Sequence, residues 1–254
     1  AVYIDHMPEP ARCLEAYVAW ADRAHARLVS LDLEAARKAP GVVAVITTDD
    51  IPGHPDISPV GRHDEPVFAT DTVQFWGQAL FAVAADHVAT ARSAAERAVV
   101  TYADLPPVLD VDDARSREDY VWPPARFARG DVETGLGRSP QKLDGRLTMG
   151  GQDHFYLEGH VALAIPGEDG DMTVFSSTQH PSEVQHMVAH VLGLPSHSVT
   201  VEVRRMGGGF GGKETQSNLF ACVAALVARK SGRPAKCRLD RDDDMIMTGK
   251  RHDF

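Results

Sequence analysis

A glycine-rich loop constrains this 254-residue chain more than any other feature of its sequence. Five of the six residues 207–212 are glycine, with Phe210 between them and Lys213 and Glu214 following. Each glycine costs about 1 kcal/mol relative to alanine inside a regular element, so this density is unexpected unless the backbone comes very close to another group. Because a ligand is the usual reason for such an approach, we expect a binding site here.

The residues around the loop predict a strand before it and a helix after it. Residues 199–203 alternate apolar and polar side chains, as a half-buried strand does. Residues 216–230 have helical periodicity, and Gly232 supplies a stop signal. The predicted apolar stripe of this helix consists of Leu219, Val223, Leu226 and Val227. This order aims unpaired backbone N–H groups and the positive end of a helix dipole at the loop's ligand, which favours an anion or an oxo group.

Three motif interpretations compete for the loop. Residues 207–212 satisfy the dinucleotide fingerprint G-x-G-x-x-G, but that fingerprint normally follows the first strand of a βαβ unit. Residues 207–213 also satisfy G-x-x-x-x-G-K, but Glu214 occupies the place of the magnesium-binding hydroxyl, and its carboxylate would repel phosphate. The third interpretation is a glycine turn that packs strand against helix. Phe210 argues against it because a bulky ring is a poor filler there.

Several segments together resemble one protein family. Residues 207–214 resemble the molybdenum-cofactor loop of the xanthine dehydrogenase and aldehyde oxidase family of molybdenum hydroxylases. Residues 150–158 (GGQDHFYLE) are similar to the family's glutamine motif, and residues 179–185 (QHPSEVQ) are similar to the segment that follows it. The first part of the chain, with PGV at 40–42 and VVTY at 99–102, resembles the family's hammerhead domain. The resemblance covers nearly the whole chain.

The resemblance implies a mixed α/β (α+β) fold in three parts. Residues 1–110 are expected to form a small hammerhead-like α/β domain, and residues 143–254 the first, incomplete part of a molybdopterin-binding domain. Between them, residues 111–142 are expected to form a linker or extended arm. The proline-rich, irregular composition of residues 105–140 agrees with a linker, because a long structureless stretch is uncommon inside one compact domain.

Local patterns predict the elements of the first domain. The predicted strands cover residues 14–20, 27–31, 42–47, 75–84 and 98–103, and the predicted helices cover residues 34–38 and 86–97. Asp86 is expected to cap the second of these helices. Residues 49–65 contain prolines and glycines at a density typical of a surface loop.

The family resemblance implies roles for individual residues. Gln152 matches the glutamine whose side-chain amide hydrogen-bonds an oxygen ligand of molybdenum. Phe210 and Gly211, with Gly209 beside them, match the loop segment whose backbone lies against the metal's apical ligand. Glu214 matches the glutamate that orients a purine, a position that is apolar in typical aldehyde oxidases. No protein side chain is expected to ligate the metal directly.

These implied roles agree with elementary chemistry. An amide N–H of Gln152 would stabilise a partly negative oxo group without adding charge. The Glu214 carboxylate could accept hydrogen bonds from ring N–H groups of a substrate. The structural alternatives remain open: Gln152 as a solvated residue at a strand end, and Glu214 as a helix-start residue that stabilises by roughly 0.3 to 1 kcal/mol.

The function implied by the resemblance is hydroxylation of hypoxanthine- or xanthine-type purines, with water supplying the oxygen. The cofactor would be molybdenum–molybdopterin in the complete enzyme, with iron–sulphur clusters and FAD on a partner domain or subunit, and the full enzyme is expected to be an oligomer. We expect the chain to be the front piece of a longer subunit, without the catalytic base and inactive alone. Two alternatives are an aldehyde or other N-heterocycle oxidase and a non-catalytic anion-binding module.

Composition excludes several other classes. The net charge of −10 and the absence of a lysine- and arginine-rich cluster argue against nucleic-acid binding. The longest apolar run, residues 219–228, is half of the roughly 20 residues that span a membrane, and no signal peptide opens the chain. We therefore expect a cytoplasmic location. The three cysteines are far apart with no C-x-x-C, so they are expected to be reduced thiols rather than cluster ligands.

Two histidines form a possible rival metal site. His186 and His190 lie four residues apart on a helix predicted over residues 181–192, and His180 lies close by, just before the helix. Met187 occupies the place that the general base of H-E-x-x-H requires. Because the apolar stripe of this helix leaves both histidines near its polar side, we expect solvated side chains rather than ligands.

Overall fold

A computed structural model describes residues 2–254, which divide into two compact units. The first unit comprises the chain up to Pro106 together with Asp153–Lys250. It contains both β-sheets and the glycine loop. The second unit comprises Pro107–Gln152 and Arg251–Phe254.

The mixed α/β class predicted from the sequence is confirmed. The strands are β1 (Leu14–Trp20), β2 (Ala26–Asp32), β3 (Val42–Ile46), β4 (Thr72–Val73), β5 (Ala79–Ala85), β6 (Val99–Asp104), β7 (Val161–Pro166), β8 (Met172–Ser176), β9 (Val199–Glu202) and β10 (Ala235–Arg238). The helices are α1 (Glu34–Arg37), α2 (Val88–Ala95), α3 (Val111–Ser116), α4 (Val132–Arg138), α5 (Pro181–Leu192), α6 (Ser217–Ser231) and α7 (Arg241–Met247).

The main sheet of the first unit takes strands from both ends of the chain. Its order is β3-β5-β1-β10-β7-β8-β9, with parallel pairing between β1 and β10 and between β8 and β9. The register pairs Leu14 with Ala235, so residues more than 200 positions apart share one ladder. A smaller sheet has the order β4-β2-β6. The sequence-based division near residue 110 stays a prediction.

Helix α6 is the central helix of the first unit. It packs against β7 and β10 of the sheet and against α5, so apolar neighbours cover it on more than one side. Val223, Leu226 and Val227 are buried as predicted, whereas Leu219 is only partly buried. Burial also extends well beyond the predicted stripe, because Ala221, Cys222, Ala224, Ala225 and Ala228 are fully enclosed. A single amphipathic stripe was therefore too narrow an expectation.

Most predicted elements of the first unit are present, with two corrections. The strand expected over residues 75–84 begins only at Ala79, and Phe75 and Trp76 before it are about half exposed. Helix α2 begins at Val88, and no side chain caps it. The expectation that Asp86 caps this helix was wrong, because its carboxylate instead accepts a hydrogen bond from the Arg233 guanidinium at 2.5 Å.

The second unit contains two short helices where the sequence indicated irregular structure. Asp110 caps α3 and Asp131 caps α4, each through its side chain. Met149 and Phe254 exchange backbone hydrogen bonds of 2.9 Å, which join the two segments of this unit. Among residues 2–254, no helix has both the length and the apolar character needed to cross a bilayer.

Candidate functional site

The glycine loop connects β9 to α6, as the sequence predicted, and three of its glycines are required for close packing. A Cβ atom on Gly207 would lie 2.5 Å from the Cβ of Glu158, and one on Gly209 would lie 2.5 Å from the Oε1 of Gln179. A Cβ on Gly212 would lie 2.8 Å from the ring of His154. At these positions the close approach inferred from the sequence is made to the chain's own side chains.

Phe210 is presented to solvent at the tip of the loop. Its side chain is 75% exposed, and its backbone has a φ of +55°, in the left-handed region that non-glycine residues rarely adopt. Gly211 next to it has a φ of +91° and open space where a Cβ would stand. A left-handed aromatic residue with an exposed ring contributes little to the core, so packing does not explain a phenylalanine at this position.

The middle of the loop carries unpaired backbone donors. Within residues 2–254, the N–H groups of Gly208, Gly209 and Phe210 have no hydrogen-bond partner. Successive free N–H groups in a loop of alternating handedness form a concavity that attracts anions. Arg204 and Arg205, just before the loop, are exposed and form no ion pair within the described part of the chain. The loop therefore offers donors and positive charge to an anionic group.

Gln179 fixes the other half of the loop. Its Oε1 atom accepts hydrogen bonds from the N–H groups of Gly211 at 2.9 Å and Lys213 at 3.2 Å. Its own backbone N–H donates to the carbonyl of Lys213 at 2.8 Å. Gln179 lies three residues after the end of β8 and two residues before the start of α5, so a regular element flanks it on each side.

Lys213 anchors the loop from within. Its side chain is fully buried, and its Nζ donates to the carbonyl of Glu158 at 2.6 Å and to the Oγ of Ser177 at 2.7 Å. The Glu158 carboxylate accepts from Ser177 at 2.6 Å and from the N–H of Gly207 at 2.8 Å. Burial lowers the pKa of Lys213 to about 8, against the opposing effect of Glu158.

A buried polar cluster lies beside this lysine. The Tyr156 hydroxyl donates to Asp244 at 2.6 Å, and the backbone N–H of His160 donates to the same carboxylate at 2.7 Å. Burial alone would raise the pKa of Asp244, but the hydrogen bonds from His160 and Tyr156 outweigh it and hold that pKa well below its usual range. The Nζ of Lys213 lies 4.5 Å from the Tyr156 ring centroid, so cluster and loop are in contact.

The remaining predicted site residues lie in different settings. Glu214 is exposed, and within residues 2–254 its carboxylate has no hydrogen-bond or ion-pair partner, so it makes no capping hydrogen bond to α6. Gln152 belongs to the second unit, where its backbone exchanges hydrogen bonds of 3.0 Å with Arg251. The roles of Glu214, Gln152 and the loop residues stay predictions, including the approach of Gln152 to the loop.

The histidines of α5 lie on its solvent side. His186 and His190 are exposed, and the His190 ring stacks on His54 with centroids 4.7 Å apart. Among residues 2–254, no three histidine, cysteine or acidic side chains are arranged to hold a metal ion.

Comparison with known proteins identifies the family. Residues 114–254 match the model of the molybdopterin cofactor-binding domain, and residues 1–106 match that of the aldehyde oxidase and xanthine dehydrogenase a/b hammerhead domain. The chain belongs to the xanthine dehydrogenase and aldehyde oxidase family. It is 42% identical to the xanthine dehydrogenase/oxidase of Mus musculus over 255 residues, which cover 100% of the chain and 19% of the relative. It is also 41% identical to aldehyde oxidase 3 of Rattus norvegicus, over 99% of the chain and 19% of the relative.

A solved structure supports the same assignment. The aldehyde oxidoreductase from Desulfovibrio gigas matches with a TM-score of 0.83 and 28% identity, covering 96% of this chain and 28% of that one. The chain thus spans about a fifth of the length of its curated relatives and under a third of this solved structure. The hammerhead and molybdopterin-binding assignments made from the sequence are confirmed at the family level.

The residues present fit the cofactor that the family implies. A molybdenum–pterin group carries partly negative oxygen and sulphur atoms, which suit the three free N–H groups of residues 208–210 and the exposed arginines beside them. Open space at Gly211 leaves the backbone accessible from one side.

Sequence reasoning missed the residues that shape the loop. Gln179 and Glu158 lie in the segments that resemble the family, and Lys213 ends the glycine run, but the sequence pattern assigns no role to any of them. Their partners are distant in the sequence: Gln179 bonds to Gly211, 32 positions later. One signal was present in the sequence, the lysine that directly follows the glycine run.

Proposed function

We propose that this chain is part of a molybdenum hydroxylase that hydroxylates hypoxanthine- or xanthine-type purines with oxygen from water. The molybdenum–molybdopterin group supplies the two-electron oxidation of the substrate carbon when it is bound. Gly209, Phe210 and Gly211 would hold this group through their backbone, and the amide of Gln152 would donate to it. Iron–sulphur clusters and FAD would lie on a partner domain or subunit, and the base would come from residues outside this chain.

The observation that carries this proposal is the row of unpaired N–H groups at residues 208–210 beside an exposed, left-handed Phe210. Preorganised donors stabilise negative charge best when no protein acceptor competes for them. The same loop continues to Glu214, whose carboxylate has no partner among residues 2–254 and is available to a substrate. The loop would thus bind the cofactor at one end and orient the substrate at the other.

Glu214 supports a purine rather than an aldehyde as substrate. Hypoxanthine and xanthine present ring N–H groups to a carboxylate acceptor, whereas a simple aldehyde has none. The similar identities of 42% and 41% to a xanthine dehydrogenase/oxidase and an aldehyde oxidase do not separate the two substrates, so the aldehyde oxidase stays the second candidate.

Steady-state kinetics of the complete enzyme test this proposal. In a Glu214→Ala variant, kcat/KM for xanthine should fall about 30-fold or more, as expected for losing one or two hydrogen bonds to a charged group, while aldehyde turnover changes little. A Glu168→Ala variant, which removes an exposed carboxylate elsewhere, serves as the control. Equal losses for both substrates, or no xanthine turnover in the wild-type enzyme, would contradict the proposal. Tight ATP or NAD binding without oxidase activity would instead support an anion-binding module.

A further inference from the structure

The Gln179 side chain uses only the oxygen of its amide to hold the loop. Its amide oxygen faces two donors, the N–H groups of Gly211 and Lys213. Because both neighbours are donors, the amide cannot be rotated to exchange its oxygen and nitrogen without losing two hydrogen bonds. The Nε2 group therefore points away from these donors, and within residues 2–254 no acceptor is bonded to it.

The amide of Gln179 also lies directly against the ligand-facing part of the loop. A Cβ added to Gly209 would stand 2.5 to 2.9 Å from the Oε1, Cδ and Cγ atoms of Gln179, so the side chain lies flat on the backbone of Gly209. Gly209 is the middle of the three residues whose N–H groups are unpaired. The free Nε2 donor of Gln179 and the free N–H group of Gly209 thus belong to two residues that are in contact.

We propose that Gln179 is a positioning residue of the loop through its amide oxygen and an additional hydrogen-bond donor to the bound group through its amide nitrogen. This inference rests on the proposed function, since the group in question is the anionic cofactor that the loop would hold. The oxygen keeps residues 211–213 in place, and the nitrogen adds one neutral donor to the row at residues 208–210. Like Gln152 in the sequence-based expectation, it would supply a donor without adding charge.

Two substitutions separate the roles of the two amide atoms. Gln179→Glu keeps an oxygen acceptor for the N–H groups of Gly211 and Lys213 but replaces the donor with a negative oxygen. Gln179→Met has nearly the same length and removes both the acceptor and the donor. Hydrogen exchange at Gly211 and Lys213 reports on the acceptor, and the molybdenum and pterin content of the purified complete enzyme reports on the donor.

The two variants should differ in these measurements. We expect Gln179→Met to accelerate exchange at both N–H groups at least about tenfold, while Gln179→Glu keeps them protected. We expect the molybdenum and pterin content of both variants to fall at least about tenfold below that of the wild type, because each lacks the donor. A Gln74→Glu variant, with the same charge change on an exposed side chain, should match the wild type in both measurements.

The outcomes distinguish this inference from the proposed function. Wild-type molybdenum and pterin content in Gln179→Glu would overturn the donor role, and unchanged exchange in Gln179→Met would overturn the positioning role. In either case a wild-type enzyme that contains molybdenum would leave the proposed function intact. A wild-type enzyme without molybdenum, expressed in a host that makes the cofactor, would instead overturn the proposed function.

Discussion

The Nζ atom of Lys213 lies 3.7 Å from the Oε2 atom of Glu158, and both side chains are almost completely removed from solvent. The lysine ends the glycine loop, and the glutamate also accepts the N–H of Gly207 at the start of that loop. One buried ion pair therefore ties together the two ends of a segment that has little side-chain packing of its own. The shape of the loop depends on this pair and on Gln179.

Breaking the buried pair should destabilise the chain strongly. Lys213→Met should lower the free energy of unfolding by about 3 kcal/mol, because Glu158 is left as an unpaired charge in the interior. Adding Glu158→Gln should restore part of this loss. Urea denaturation monitored by tryptophan fluorescence measures the effect, and Lys38→Met, at an exposed lysine, is the control. A loss below about 1 kcal/mol would show that the pair is not an anchor.

Relieving the strained backbone at Phe210 should raise the stability of the chain and lower the activity of the complete enzyme. Phe210→Gly should raise the free energy of unfolding by about 0.5 to 1 kcal/mol, because the ring is exposed and glycine tolerates the left-handed φ of +55°. Purine turnover of the complete enzyme should nevertheless fall. Phe75→Gly, at another exposed phenylalanine whose φ is not positive, should lose stability in the same denaturation assay. Similar losses for the two variants would argue against strain at Phe210.

A methyl group on Gly209 should displace Gln179. In Gly209→Ala the new Cβ would stand 2.5 Å from the Oε1 of Gln179, so that side chain must move and release Gly211 and Lys213. We expect faster hydrogen exchange at those two N–H groups. Gly137→Ala, at a glycine of α4 with nothing within 4 Å, should leave their exchange unchanged. Unaltered protection in Gly209→Ala would mean that the loop adapts without Gln179.

Glu15 on β1 should make the stability of the chain depend on pH. Burial raises the pKa of this carboxyl to about 7 from an ordinary 4.5, despite the neighbouring Lys236. Between pH 4.5 and about pH 7 the native state therefore binds more protons than the unfolded state. The contribution of Glu15 to the free energy of unfolding is thus fully present below pH 4.5 and is lost as the pH rises through about 7.

A neutral residue at this position should remove that dependence. Because Glu15 is only partly buried, we expect Glu15→Gln to be more stable than the wild type by about 1 to 2 kcal/mol at pH 8, with a much smaller difference at pH 4.5. Thermal unfolding at the two pH values measures this, with Glu168→Gln as an exposed control. A difference that does not grow with pH would contradict the assignment.

The elements that follow local rules could be predicted from the sequence. Helix α5 was predicted with its observed bounds, because Pro181 suits its first turn and Gly193 supplies a left-handed end. Strand β1 was also predicted with its observed bounds, Leu14–Trp20. The start of β5 was predicted too early, because Phe75 and Trp76 are residue types favoured in strands. Gly77, with a φ of +99°, prevents an extended backbone before Ala79.

Features that depend on distant partners could not be predicted. Aspartate is a residue type favoured at helix N-caps, but the carboxylate of Asp86 is bound by Arg233, 147 residues away. The glycine loop was recognised as a site from its composition, whereas the glycines at 207, 209 and 212 turn out to accommodate Glu158, Gln179 and His154. The sequence pattern shows that another group must approach the backbone closely at these glycines, but it does not show which group that is.

The position of molybdenum in a crystal of the complete, cofactor-loaded enzyme tests the central claim most directly. Anomalous diffraction at the molybdenum edge should show one peak beside the backbone of Phe210 and Gly211, with the side-chain amide of Gln152 directed at the same centre. A molybdenum peak remote from residues 207–214, or one that Gln152 does not approach, would contradict the account.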